Sequence, residues 1–250
     1  MDSRLPRFNK GRIDLLAGIH QPEFLCWPGF FDKMYRSNLF VVLDNIQFRK
    51  DYFQNRNRIK TKNGWRWLTV PLKRPVFGRK ICDIEIYGEQ WKKRHLNILN
   101  ENYTSAPFYD SYIDGLKEVY EKYWKKLSSL NVELIRLMMR YLGFERRIIL
   151  ASELNLEEKK GTELLIDICR KLDADTYLSG EGGYNYMDLA RFKEEEIKVV
   201  FRRYTCPRYP QQFLKETGFI PNLSTVDLLF NCGEDSLNIL ISGGRIHEMS

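Results

Sequence analysis

His20, Gln21 and Pro22 directly follow an apolar run, Leu15 to Ile19. An imidazole and an amide therefore stand where a buried strand would open into a polar turn. A side chain that gains or loses a proton near neutral pH suits general acid or base catalysis. The same histidine can equally be a hydrogen-bonded turn residue, and Trp27, Pro28 and Gly29 just beyond it add to the functional reading. Asp44 closes a second apolar run and is the carboxylate placed to orient His20 or a sugar hydroxyl. His20, Gln21 and Asp44 are the catalytic candidates.

Two further segments offer groups for holding a substrate. Asn55, Arg56, Asn57, Arg58, Ile59 and Lys60 bring amide and guanidinium donors matched to phosphate or carboxylate oxygens. Gln47 precedes them and Trp65 and Trp67 follow, so aromatic surface lies beside the basic groups, as in a pocket for a sugar or base. A solvated charged loop is the plainer reading. Ser179, Gly180, Glu181, Gly182 and Gly183 form the other segment, whose backbone amides can approach an anion closely. It lacks the lysine of a phosphate-binding P-loop and the full dinucleotide fingerprint, and a tight turn requiring positive φ explains it equally well. The substrate-binding candidates are Trp27, Gln47, Asn55, Arg56, Arg58, Lys60, Ser179, Gly180, Gly182, Gly183 and Asn222. No His/Cys/Asp group has metal-ligand spacing, and neither a metal nor a cofactor is expected.

The elements that must position these residues read as an α/β fold. Leu15 to Ile19 is a strand, Pro28 to Tyr35 a helix opened by proline, and Leu39 to Leu43 a strand apolar on both faces, as inside a parallel sheet. Trp65 to Val70 and Ile81 to Ile86 alternate like strands, and the basic loop between them, Lys73 to Lys80, is a candidate flap. From Gln90 to about Leu142 apolar residues recur at three and four, predicting three helices that end at Gly143. Ile148 to Leu150, Asp175 to Ser179 and Ile197 to Phe201 resume the sheet. Gly161 to Lys171 and Met187 to Phe192 are predicted helices, and Ser224 caps another, a setting that makes Asn222 and Asp227 structural first. The expectation is one domain over residues 1–250: a Rossmann-like, mostly parallel sheet flanked by helices, with a helical insertion at about 90–143.

Composition limits the function classes. With 250 residues, 43% of them hydrophobic, the chain can bury a full core, and its apolar runs are too short to span a bilayer. Met1 to Arg12 is a polar, basic arm without an export signal, and five scattered cysteines suit a reducing compartment, so a cytoplasmic location is expected. A net charge of +7 favours phosphate-bearing partners but does not separate a nucleotide from a polynucleotide.

Taken together, Ile19 to Pro22 with Trp27, Gly29, Phe31, Asp32 and Lys33, then Leu43, Asp44 and Gln47, then Asn55 to Lys60 and Trp67 to Pro71 resemble the WbqC-like protein family. The resemblance continues through Thr176 to Gly180, Gly182 and Gly183, Tyr209 to Gln211, Phe219 to Ser224 and Asp227 to Asn231. Cys26 stands where the family commonly has proline, and Cys206 where a histidine commonly precedes the proline. The resemblance implies a setting in surface-polysaccharide synthesis, of the O-antigen and lipopolysaccharide type, rather than a defined reaction. The strand, histidine turn, helix and strand are also similar to the opening of pantothenate synthetase and cytidylyltransferase-type nucleotidyltransferases. That likeness bears on fold only, since their second histidine is missing. Two main readings stand: a transferase or ligase-like enzyme on a nucleotide-activated sugar or related phosphate-bearing precursor, and a non-catalytic nucleic-acid- or glycan-binding protein using the basic and aromatic residues from Arg49 to Lys80. A scaffold in a biosynthetic complex is a third.

Overall fold

The computed structural model describes residues 15–247, so the Met1 to Arg12 arm lies outside the described residues. The first unit is β1 (Leu16–His20), α1 (Pro28–Arg36) and β2 (Leu39–Val42), with β1 and β2 parallel. Proline at the start of α1 costs no hydrogen bond there. β2 is apolar throughout because the sheet is covered on both sides. Phe40 and Val42 enter one core with Phe30, Phe31 and Met34, while Leu39 and Val41 enter the other with Ala17 and Ile19.

Later strands complete a six-stranded sheet: β5 (Arg147–Leu150), β6 (Thr176–Gly180), β7 (Lys198–Tyr204) and β8 (Gly244–His247). Its order is β5-β2-β1-β6-β7-β8, parallel except where β8 runs against β7. α1 packs into the core shared with the predicted helical insertion, which forms α2 (Gln90–Tyr103), α3 (Tyr109–Glu121) and α4 (Leu127–Tyr141). α5 (Gly161–Lys171) and α6 (Leu189–Glu194) cover the opposite face. Connections from β1 run outward to β2 with a helix on one face, whereas β5 returns to β6 through α5 on the other. The order therefore reverses between β1 and β6, the place where open α/β sheets bind ligands at the carboxyl ends of their strands. Gly143 takes the left-handed conformation just past α4, as expected of a glycine that ends a helix.

Two sequence expectations need correction. Ile81 to Ile86 is not a strand: Ile81–Asp83 forms a 3-10 turn. Its backbone N–H groups are spent on Ile46 O and Asp44 O and on its own turn, and Ile81 and Ile84, three apart, are both buried. Conversely, the polar stretch contains β3 (Arg56–Thr61), which pairs with β4 (Gly64–Thr69) in a separate two-stranded ribbon. The Lys62-Asn63 loop closes it, with Gly64 at a φ of 113°. The ribbon escaped notice because two of its buried residues, Asn57 and Lys60, are polar. The short α7 (Leu214–Thr217), the antiparallel β8 and its preceding helix α9 (Ser236–Ser242) also had no forecast.

Candidate functional site

β1 ends at His20 and β6 at Gly180, and continuing their register, Gly18 opposite Leu178, sets these two residues side by side at the switch point. The His20 Nδ1 lies 3.0 Å from the Gln21 carbonyl, and its ring meets Phe30 edge-on at 5.1 Å. A carbonyl only accepts, so Nδ1 carries the proton and Nε2 keeps its lone pair. Enclosure of the ring, then the nearby Lys33 ammonium and Arg202 guanidinium, lower the His20 pKa to about 3 against the Gln21 bond, so the imidazole is neutral at pH 7.

Both cations are held behind the turn. Lys33, on α1, donates to Ile19 O at 2.6 Å and lies 5.6 Å from the Tyr177 ring centre. Burial first, and Arg202 second, bring its pKa down to about 7. Arg202, on β7, donates to Gly29 O at 2.6 Å and Asp32 Oδ2 at 2.8 Å. The fully buried Asp32 also receives Arg36 Nε at 2.9 Å, and Arg36 continues to Ile241 O and Gly244 O. Trp27 lies against this group. Its ring covers Gly29, where a Cβ would come within 2.2 Å, and meets Tyr204 at 5.2 Å.

The glycine turn does not need left-handed backbone. Gly180, Gly182 and Gly183 are all absent from the positive-φ residues. Gly183 is required by packing, since a Cβ there would stand 2.2 Å from Ser179 Oγ, but at Gly180 and Gly182 a Cβ would meet nothing within 4 Å. Ser179 is buried and donates to Gly180 O at 3.0 Å. Gln54 Nε2 donates to Gln21 Oε1 at 2.5 Å, and Gln54 Oε1 receives Arg49 N at 2.9 Å, which ties the loop ahead of the ribbon to the His20 turn. Arg49 in turn lies close enough to the Tyr186 phenol to oppose the rise that burial imposes on its pKa. The loop after β2 thus comes within electrostatic reach of Tyr186, just past the turn after β6.

Other candidates are engaged elsewhere. Both Asp44 carboxylate oxygens are taken: Oδ1 receives Ser152 N at 2.9 Å, and Oδ2 receives Ser152 Oγ at 2.9 Å and Ser128 Oγ at 3.2 Å, so it ties the β2 end to α4. Asn55 donates to Val70 O, and exposed Gln47 bridges to Lys80, pinning one end of the basic loop. Arg56 stacks over Trp67 at 4.3 Å and Arg58 over Trp65 at 5.4 Å. Arg58 also donates to the carbonyl of Asn222, which sits at a φ of 56° with its N–H on Cys206 Sγ. Lys60 points inward, donating to Gln211 Oε1 at 2.9 Å and to Gly218 O. It belongs to a buried network whose acceptor is Asp227, on α8 (Thr225–Cys232), bonded by Tyr103 at 2.6 Å and Tyr209 at 2.9 Å. Burial raises the Asp227 pKa to about 6 despite these bonds. Ser224 caps α8 by accepting from Val226 N, as its position predicts.

Sequence reasoning passed over Gln54, Arg202 and Glu23. Glu23 is buried with Oε2 unpartnered among the described residues, and burial raises its pKa to about 8. Gln54 and Arg202 lie 33 and 173 residues from Gln21 and Gly29, the groups they hold, and no local pattern links them. For Glu23 a signal existed, a lone carboxylate inside the apolar Pro22 to Cys26 stretch.

No helix among the described residues is long and apolar enough to cross a membrane. No solved structure matches the chain. An uncharacterized protein of Mycobacterium tuberculosis, Rv1507c, is 34% identical over 226 residues, covering 90% of this chain and 96% of its own length. The model of the WbqC-like protein family matches residues 21–239, from Gln21 beside the histidine through the ribbon, the glycine turn and α8. By both matches, the chain belongs to the WbqC-like protein family.

Proposed function

We propose that the chain is an enzyme of surface-polysaccharide synthesis that acts as a transferase on a nucleotide-activated sugar or related phosphate-bearing precursor, bound between the ends of β1 and β6. Family membership supports the setting; the site rests chiefly on one observation. Gly180 and Gly182 border the switch point with ordinary backbone and open space above them. Neither packing nor conformation explains glycine there, whereas close approach of a ligand to the backbone does.

In this reading the 180–183 backbone holds the phosphates, and His20 Nε2 accepts the proton of an acceptor hydroxyl. The hydroxyl oxygen bonds to the sugar carbon as the carbon–oxygen bond to phosphate breaks, and the phosphate leaves with that electron pair. An imidazole with a pKa of about 3 is a weak base. Burial is the largest cause of that lowering, and a bound anion counteracts the smaller share that Lys33 and Arg202 impose. A thermal-shift panel of nucleotides, sugar nucleotides, acyl carriers and amino acids tests the reading. A sugar nucleotide raises the melting temperature of the native chain; stabilisation by none of the panel would count against the reading.

The Arg56–Trp67 and Arg58–Trp65 stacks support the second reading, a glycan- or nucleic-acid-binding surface. Polynucleotide binding that falls steeply with salt and survives His20→Ala would favour it.

A further inference from the structure

A concave surface lies at the other end of the sheet, where α4 ends and β5 begins. It is an open hollow of about 520 Å³ lined by Arg136, Met139, Arg140, Phe144, Glu145, Arg146 and Arg147. Arg147 is paired in register with Leu39, the first residue of β2, and so marks the amino edge of the sheet, away from His20 and Gly180 at the carboxyl edge.

Four arginines against one glutamate leave the lining strongly positive. Arg136 and Arg140 are exposed and one turn apart on α4, hence on one side of the helix. Neither their side chains nor that of Arg147 has a hydrogen bond or ion pair to another described residue. Arg146 donates one Nη2 bond to Tyr35 O at 2.8 Å, while its Nε is buried and unpartnered among the described residues. The α4 carboxyl end attracts a cation, which accounts for Arg140, but not for three further arginines converging from the helix, the 144–146 segment and β5. Like charges gathered in a concavity repel unless an anion is shared among them. Phe144, fixed edge-on against Tyr35 at 5.5 Å, and Met139 add an apolar wall.

We infer that this arginine-lined hollow is a second anion site that takes a diphosphate-bearing small molecule. The guanidinium fork matches paired phosphate oxygens, and the volume lies in the range of small-ligand sites. Free diphosphate and a nucleoside diphosphate share this chemistry, and Phe144 favours the nucleoside form.

Calorimetry with inorganic diphosphate, and in parallel with a nucleoside diphosphate, tests the inference on the full chain. Saturable binding is expected, weakened about ten-fold or more by Arg136→Ala/Arg140→Ala and by Arg147→Ala, with unchanged melting temperatures because these side chains are exposed. Tighter binding of the nucleoside form identifies it as the source, and equal affinity identifies free diphosphate. Gly180→Val separates this site from the proposed active site: retained diphosphate binding in that variant is expected. Absence of saturable binding, binding unaffected by the arginine variants, or preferential binding of a long oligonucleotide would overturn the inference.

Discussion

Gly244→Ala tests the packing that fixes the floor beneath His20. An alanine Cβ at this position would lie 2.0 Å from Asp32 Oδ2 and 2.3 Å from Oδ1. Asp32 has little freedom to retreat, because it is fully buried and held by Arg36 at 2.9 Å and Arg202 at 2.8 Å. Displacing it leaves the buried Arg202 with only Gly29 O among its named partners. Breaking a buried ion pair in this way costs about 3–5 kcal/mol, which for a chain of this size is roughly 6–20 °C in melting temperature. Urea unfolding followed by far-UV circular dichroism measures the change, with Asp32→Ala and the double variant completing a cycle. Adding Gly244→Ala in the Asp32→Ala background is expected to cost under about 1 kcal/mol, since the obstruction is gone. A loss below about 1 kcal/mol in the native background, or an equal loss in both backgrounds, refutes the reasoning.

Glu23→Gln removes a carboxyl whose folded-state pKa is about 8 rather than 4.5. The native contribution is whole below about pH 4.5 and fades as pH rises through 8, so the variant gains relative stability across that window, by about 3–5 kcal/mol at its end; parallel unfolding curves at pH 5 and 8.5 check this. Lys33 has the opposite sign. Its pKa is lowered to about 7, so keeping it charged opposes folding below that pH, and the burden lifts as pH rises toward 10.5. Lys33→Met is therefore expected to compare best with the native chain near pH 6 and progressively worse by pH 10, measured by melting temperature. Gly183→Ala forces Ser179 or Met187 aside and is expected to destabilise by about 1–3 kcal/mol, whereas Gly182→Ala changes the melting temperature little.

The elements that place His20 were legible because their residues agree at every level. β2 reads Leu-Phe-Val-Val, apolar on both faces, and the parallel sheet buries it on both. Pro28 marks the start of α1, and Ser224 the start of α8. The ribbon was hidden because its buried positions are satisfied by remote partners: Asn57 Nδ2 donates to Phe24 O and Leu25 O, and Lys60 reaches Gln211 across 151 residues. Asp227 likewise finds Tyr103 from 124 residues away. Asp44 was legible as a strand-end carboxylate, but Ser128 reaches it from α4 and Ser152 from the turn after β5, once β5 pairs with β2. The places of His20 and Gly180 at strand ends were legible from strand-to-turn patterns, but the pairing of β1 with β6 was not, since local pattern carries no strand order. The cations behind them were not legible either, since Arg202 and Lys33 enter from separate elements.

Binding at the β1–β6 switch point is tested most directly by calorimetry of a nucleoside-diphosphate sugar against the native chain, Gly180→Val and Gly182→Val. Saturable binding to the native chain, weakened about ten-fold or more in both variants at unchanged melting temperature, is the expected result, because the added side chains fill open space rather than packed core. Affinity in both glycine variants equal to that of the native chain would contradict it.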